Sequence, residues 1–422
     1  MVYLRQLEGI VFYLSLFSIS LQVGKHFWPS YAFVRGIRLD YLSPTLYLSD
    51  IFIISLLIFV LLQRPQKLWD SFSHTLLFPA FFLSVFLSSI FASNFEAAIV
   101  WCLRIVLAVF FGWYVGRYDF KKNFVLVVDT LMLAGIMQSS VAFLQFLFQR
   151  SLGGFMYFFG ERSFTGETIG VATFFSNGRE LLRPYGTFPH PNVLAFFLLI
   201  ALILGMHFVL YQKSSRRTYG YIFSLIIIML GLLVTGSRSV ILVAIFLSGA
   251  LFFRKKKQLI YVILTILIFA PLYLVSFSGR FFSIHSLTEA VDVRVDLIIN
   301  TSELISQNIL FGAGPNNTFF LSQGDTVPIS VRFQPVHNMY LHAIAQLGLL
   351  GLVVMALFLK NIFVKLRYGF YQREQWIFPI TLLLCGLFFV GFFDHFFITL
   401  PQGLLMSALL VGLLYNTSMV SE

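Results

Sequence analysis

The stretch "RPYGTFPHPNVLAFFLLIALILGMHFVL", Arg183 to Leu210, decides the fold. Its second part is an apolar run long enough to cross a bilayer core of about 30 Å. Its first ten residues hold a cation, three prolines, a glycine and a histidine. In lipid the apolar run must be helical, because no water is there to satisfy a free backbone amide. The polar residues therefore stand at the mouth of a membrane helix. Pro191 suits the first helical turn, and His190 can cap it.

The rest of the chain repeats the apolar half of this pattern. Of 422 residues 58% are hydrophobic and 11% charged, too little charge to cover the surface of a soluble domain. Candidate spans fall near residues 9–26, 46–63, 74–92, 97–116, 123–148, 190–211, 218–236, 238–253, 258–277, 338–360, 375–393 and 398–416. The expectation is an all-α polytopic membrane protein of about twelve transmembrane helices, forming a single domain over 1–422. No internal repeat or low-complexity segment interrupts it. The first run, "GIVFYLSLFSISLQVG", is followed by no small-residue cleavage site, so it reads as a span and not as a signal peptide. Cys102 and Cys385 sit inside apolar runs and read as buried thiols, with neither a disulfide framework nor a metal site implied.

Charge orders the connections. "RPQK", "GRYDFKK", "YQKSSRR", "RKKK" and "KNIFVKLRYGFYQRE" are short and basic, and they carry nine of the ten lysines, Lys25 being the exception. By the positive-inside rule they face the cytoplasm. The opposite face receives the longer segments 27–45, 149–189 and 278–337, which with Arg238 carry ten of the nineteen arginines. The net charge of +11 is mostly this topology signal and gives no reason to expect nucleic acid. Arginine used almost without lysine suits bidentate contact with phosphate or carboxylate, although each arginine could instead pair with an outer acid.

In this arrangement the even-numbered spans begin at the outer face, where three starts carry unusual residues. One is the quoted stretch, with Arg183, His190 and Asn192. A second follows "TGSRS", a tight hairpin that leaves Arg238 at its tip. The third begins at "PVHNMYLH", with His337 and Asn338 at the cap. A helix N-terminus offers unpaired amides and partial positive charge, so such ends with added arginines form an anion site, fitting a phosphorylated lipid headgroup.

The segment 278–337 adds "VDVRVDLIINTSELISQNILFGAGPNNTF". Val291, Val295, Ile298 and Ile299 share one side of a helix, which predicts an amphipathic helix outside or on the membrane. Arg294 lies in it between Asp292 and Asp296, and "GAGPNN" ends it as a tight turn. His26, His74 and His207 read as packing or interfacial residues. His190 reads as a cap before a base. His342 lies five residues after His337, on another helical face. Asp394 precedes His395 in "FFDHFFITLPQ", where an outer acid can orient a histidine. Arg104 and Asp129 are charges inside spans, which pair or act; Arg104 lies where it can reach a carrier phosphate.

Arg-x-x-Gly-x-Phe-x-His-Pro-Asn at a helix start, then Gly-Ser-Arg, then a long outer loop with Arg294, Gly-x-Gly-Pro and His-Asn-x-x-Leu, resembles the O-antigen ligase and O-antigen polymerase superfamily over roughly residues 170–400. The early "GIRLDYLSPTLYLSD" also fits. The resemblance implies a membrane glycosyltransferase of the GT-C class in the cytoplasmic (inner) membrane, acting on the extracytoplasmic side. It implies an undecaprenyl diphosphate-linked glycan as donor and a glycan or lipid acceptor. It further implies inversion, with no cofactor and no metal. Carried over by motif, His337 would be the catalytic histidine, and Arg183, Arg238 and Arg294 would contact the diphosphate. His190, Asn192, Asn338, Arg104 and Asp394 would support them. Polymerase and ligase differ only in the acceptor. The rival class is a lipid-linked glycan flippase or other transporter; the absence of repeat symmetry and of broken, charge-bearing spans speaks against it.

Overall fold

A computed structural model describes residues 2–64, 66, 77–118, 120–176, 179–211, 216–253, 284–320 and 333–418. In chain order its helices are α1 (Val2–Ser18), α2 (Leu48–Gln63), α3 (Leu77–Ile90), α4 (Phe95–Arg117), α5 (Phe120–Phe148), α6 (Pro191–Tyr211) and α7 (Arg216–Val234). There follow α8 (Arg238–Phe253), α9 (Ile284–Gln307), α10 (Met339–Tyr371), α11 (Ile377–Val390), α12 (Phe396–Thr399) and α13 (Pro401–Ser418). Helices occupy every candidate span except 258–277, which lies outside the described residues. Among the described residues, five helices are long and apolar enough to cross a membrane: α4, α5 from Asn123, α6, α7 and α10. The helices at the remaining described candidate spans are shorter over their described residues, so helix length alone does not confirm twelve crossings.

Four sequence expectations need correction. The first helix stops at Ser18, not near residue 26, because the chain turns into strand β1 (Gly24–His26), which pairs antiparallel with β4 (Thr45–Tyr47). Two further ladders join β2 (Phe33–Val34) to β3 (Ile37–Arg38) and β5 (Thr173–Ser176) to β6 (Arg179–Leu182). The fold is therefore mostly helical but not all-α; these interhelical segments satisfy their backbone by strand pairing. Third, α10 runs on to Tyr371, so the basic stretch after residue 360 is largely helix, as its Lys, Leu and Arg favour. Fourth, the thiols are not buried: Cys102 is half-buried and Cys385 exposed, because a helix turns part of its apolar surface outward toward lipid.

The quoted stretch supplies the centre of the bundle. In α6 nearly every residue from Val193 to Leu204 is fully buried, the mark of a helix apolar on all sides and surrounded by others. It packs against α5, α7, α8, α11 and α13. The longest seam joins α4 to α13 through small residues. A Cβ on Gly112 would stand 3.0 Å from the Ala408 carbonyl oxygen, and one on Gly412 2.5 Å from that of Gly112. Spacing small residues four apart lets helix backbones approach this closely, which is how membrane helices gain van der Waals contact.

Helix α10 is broken at Gly348 (φ 62°, ψ −159°). The "FGAGPNN" turn fills the break. Ala313 N donates to Ala345 O at 2.8 Å, Gly314 N to Gln346 O at 3.1 Å, and Leu349 N to Ile309 O at 2.9 Å. A side chain at Gly348 would meet the Leu310 carbonyl at 2.4 Å, so the close approach requires glycine there. The turn is structural punctuation. It also welds neighbours together: Asn317 holds the backbone of Asn94, the α4 N-cap, and Asn316 Nδ2 donates to Tyr41 O at 3.1 Å.

At the end of the bundle opposite the 183–192 segment, polar side chains pair off. Arg64 grips both oxygens of buried Glu8 at 2.7 Å, and Tyr114 donates to the same carboxylate. Asp129, a charge inside a candidate span, pairs with Arg217 and accepts from Tyr221 at 2.5 Å.

Candidate active site

The site is built on the loop 183–192, and two glutamines of α5 hold that loop. Gln138 and Gln145 are seven residues apart, two helical turns, and so share a face. Gln145 Oε1 accepts from Tyr185 N (3.0 Å) and Gly186 N (2.9 Å), and its Nε2 donates to Gly186 O (2.8 Å). Gln138 Oε1 accepts from Thr187 N at 2.9 Å. Gly186 has φ +57°, and a Cβ there would stand 2.4 Å from Gln138 Oε1. Glycine, proline and buried amides together fix the backbone where the α6 N-terminus opens.

From this loop a chain of hydrogen bonds crosses to other elements. Arg183, 6% exposed, donates Nε to Thr235 O (2.9 Å) and Nη2 to Asn192 Oδ1 (2.6 Å). Asn192 Nδ2 donates to Asp394 Oδ2 (2.6 Å), while Asp394 Oδ1 accepts from His395 N (2.8 Å). Arginine can only donate and a carboxylate only accept, so these partners fix the orientation of the Asn192 amide. The chain ties the starts of α6 and α8 to the turn between α11 and α12. Thr235 lies in the hairpin that presents half-buried Arg238.

The third start joins at the same turn. Asn338 caps α10, its Oδ1 accepting from Tyr340 N and Leu341 N at 3.0 Å, and Met339 N donates to Gly391 O at 2.8 Å. His337 and His395 then stand edge to face with ring centres 5.4 Å apart. His342 lies 6.2 Å from His395, and the Gln346 amide nitrogen donates to its Nε2 at 2.7 Å. His190 spends Nδ1 as a cap, accepting from Asn192 N at 3.1 Å.

The environment keeps these rings neutral. Burial lowers the pKa of His337; the Asp394 carboxylate opposes that, and Arg294 adds to it. Burial, aided by Arg183, pushes His190 down to about 3. His395 is lowered well below the usual range by burial and by the two neighbouring imidazoles. A neutral His337 is competent as a base at pH 7.

The arginines separate by environment. Arg183 reaches the hairpin that carries Arg238 through Thr235 O and is committed to protein partners. Arg294 is exposed on α9 and makes no ion pair among the described residues, Asp292 and Asp296 included. Helix α9 docks through Val293 and Leu297 against Val336 and Leu341, while Val295, Ile298 and Ile299 stay exposed. Arg104 stands apart: its Nη1 pairs with Asp50 at 2.5 Å and its guanidinium lies 5.2 Å over Tyr47, bracing the start of α2.

Three neighbours were not singled out from sequence as site residues. Tyr41 lies 6.0 Å from His395 and stacks on Phe319; burial and Asp394 raise its pKa. Exposed Arg162 donates to Pro189 O at 2.8 Å and stands 5.7 Å over Tyr185. His395 itself, left open by the sequence, is at the centre of the cluster. For Arg162 no local motif exists. For Tyr41 the only signal was its position in "GIRLDYLSPT". Among the described residues no three His, Cys, Asp or Glu side chains stand where they could hold a metal ion.

Fold and site together define a multi-pass membrane protein with histidine, carboxylate and guanidinium groups gathered where three helix N-termini meet. The family model for O-antigen ligase matches residues 222–356. That match covers α7 to the middle of α10, with Arg238, Arg294 and His337, and supports the resemblance to the O-antigen ligase and polymerase superfamily. At the family level it indicates a ligase-type membrane enzyme. A comparison with curated proteins finds no match.

Proposed function

We propose that this protein is an inverting membrane glycosyltransferase. It moves a glycan from an undecaprenyl diphosphate carrier to an acceptor hydroxyl at the extracytoplasmic face of the cytoplasmic membrane. The observation that carries the reading is the meeting of His337, Asp394 and His395 with the N-termini of α6, α8 and α10. His337 takes the acceptor proton as the acceptor oxygen bonds to the anomeric carbon. The carbon–oxygen bond to the diphosphate breaks, and its electron pair leaves with the phosphate. Arg238, Arg294 and Arg162 neutralise that growing charge, aided by the positive ends of the helix dipoles. Arg183, Asn192 and Asp394 hold the frame in register and Asn338 caps α10. The diphosphate is itself the activated leaving group, so neither nucleotide nor metal enters the step.

The test is purified protein with a lipid-diphosphate oligosaccharide and an acceptor. A ladder of products identifies a polymerase, and a single transfer a ligase. Translocation of the lipid-linked glycan between leaflets without any new glycosidic bond would replace the enzyme reading with a transporter.

A further inference from the structure

The segment "GGFMYFFGE", Gly153 to Glu161, takes no part in the chemistry above, yet it has an unusual build. Gly154–Phe159 form one short helical turn with no buried residue. Phe155 is 70% exposed, and Tyr157 and Phe158 are 72% exposed. Three large aromatic rings turned outward together would be a liability in water. The turn is also rigid. Gly153, Gly154 and Gly160 have φ of +68°, +54° and +89°. A side chain at Gly160 would stand 2.4 Å from the Gln22 carbonyl carbon, so the turn is pressed onto the backbone that follows α1. Buried Glu161 closes its base, accepting from Leu152 N, Gly153 N and Gln145 Nε2, each at 2.7 Å.

What covers the rings follows from what precedes them. The turn begins five residues after α5, whose apolar length of 26 residues runs to Phe148. At about 1.5 Å per residue that is about 39 Å, longer than the about 30 Å hydrocarbon core, so its end reaches headgroup depth. Around this end Phe143, Leu144, Leu147 and Phe148 are all exposed. The aromatic turn continues that outward apolar surface, at the depth where tyrosine and other aromatic rings favour the interface between lipid and water.

We propose that the turn Gly153–Gly160 is a bilayer anchor, with Phe155, Tyr157 and Phe158 inserted into the headgroup and upper acyl region of the leaflet next to the 183–192 loop. Gln145 joins the anchor to that loop, since it binds Glu161 through Nε2 and the backbone of Tyr185 and Gly186 through Oε1. The anchor thereby sets the height of the His190 and Arg183 region over the membrane. The inference rests on the membrane reading and is independent of the reaction catalysed.

The test is the full-length protein, with Cys102→Ala and Cys385→Ala, in phosphatidylethanolamine/phosphatidylglycerol nanodiscs. A nitroxide is placed at Phe158→Cys, with Leu147→Cys as the lipid reference and Glu167→Cys as the water reference. Collisions with oxygen and with a water-soluble nickel chelate should place Phe158 with Leu147. Nickel accessibility equal to that of Glu167 would overturn the proposal. Shielding from both probes would also overturn it, pointing to a protein partner or a second copy. Phe158→Trp in the native-cysteine protein gives a second reading. Brominated lipids should quench its added fluorescence, and the absence of added quenching also overturns the anchor.

Discussion

Asn192 Nδ2 donates to Asp394 Oδ2 at 2.6 Å, joining residues 202 positions apart in the chain. The same amide accepts from Arg183 at 2.6 Å, so one side chain connects a guanidinium to a carboxylate. Asn192→Ala leaves both partners under-satisfied, a loss of about 1–3 kcal/mol for a buried site. Thermal stability and turnover should fall together. Wild-type melting temperature and rate in this variant would show that the connection is idle.

His337→Ala should fold, bind the lipid-diphosphate donor with near wild-type affinity and lose transfer by at least about a hundredfold, the range of general-base contributions. Wild-type rates should be unchanged in excess EDTA. If EDTA abolishes activity and magnesium or manganese restores it, the metal-free step is wrong.

The arginines should divide into two behaviours. Arg183 is buried and bonded to Thr235 O and Asn192, so Arg183→Lys should lower both melting temperature and kcat. Arg294 and Arg162 are exposed, so Arg294→Ala and Arg162→Ala should leave the melting temperature unchanged. Both should weaken donor use, Arg294→Ala by about 2 kcal/mol or more in kcat/KM. A large stability loss in either exposed variant would reassign it to the frame.

Acid should act through the histidines in a defined direction. His190, His337 and His395 all have lowered pKa values in the folded protein, so at pH 7 they are neutral when folded and mostly neutral when unfolded, and they contribute little pH dependence there. Below about 6.5 the unfolded chain gains protons that the folded one refuses, and stability falls with pH. His190 extends that window down toward about 3. The rate should likewise fall only when His337 protonates, below its ordinary pKa. A rate that rises as the pH falls through the ordinary histidine range would contradict a neutral His337 base.

Orientation is checked in intact cells. A cysteine at Glu167 should react with an impermeant reagent, and one at Arg373 should not, both positions being exposed in the fold. The reverse pattern would move the site to the cytoplasmic face and remove the carrier chemistry proposed for it.

The sequence by itself determined the membrane class, almost all helix positions and the three polar helix starts. Each depends on local composition: an apolar run must be helical in lipid, and proline, asparagine or histidine at its mouth marks the cap. His190 and Asn338 as caps were legible for that reason. Tertiary structure decided what a side chain does with its remaining atoms. The same local rule identifies Arg183 and Arg294 as outer arginines, yet one is buried across Thr235 and Asn192 while the other stays exposed. Arg104 is paired with Asp50 because α2 and α4 pack together. The break at Gly348 was invisible, since a glycine in an apolar helix becomes a kink only when another backbone, here Ile309 to Gly314, arrives to take the amides and carbonyls. Tyr41, Arg162 and His395 reach the site from three distant segments. Which of them meet depends on packing between elements far apart in the chain, which no local pattern encodes.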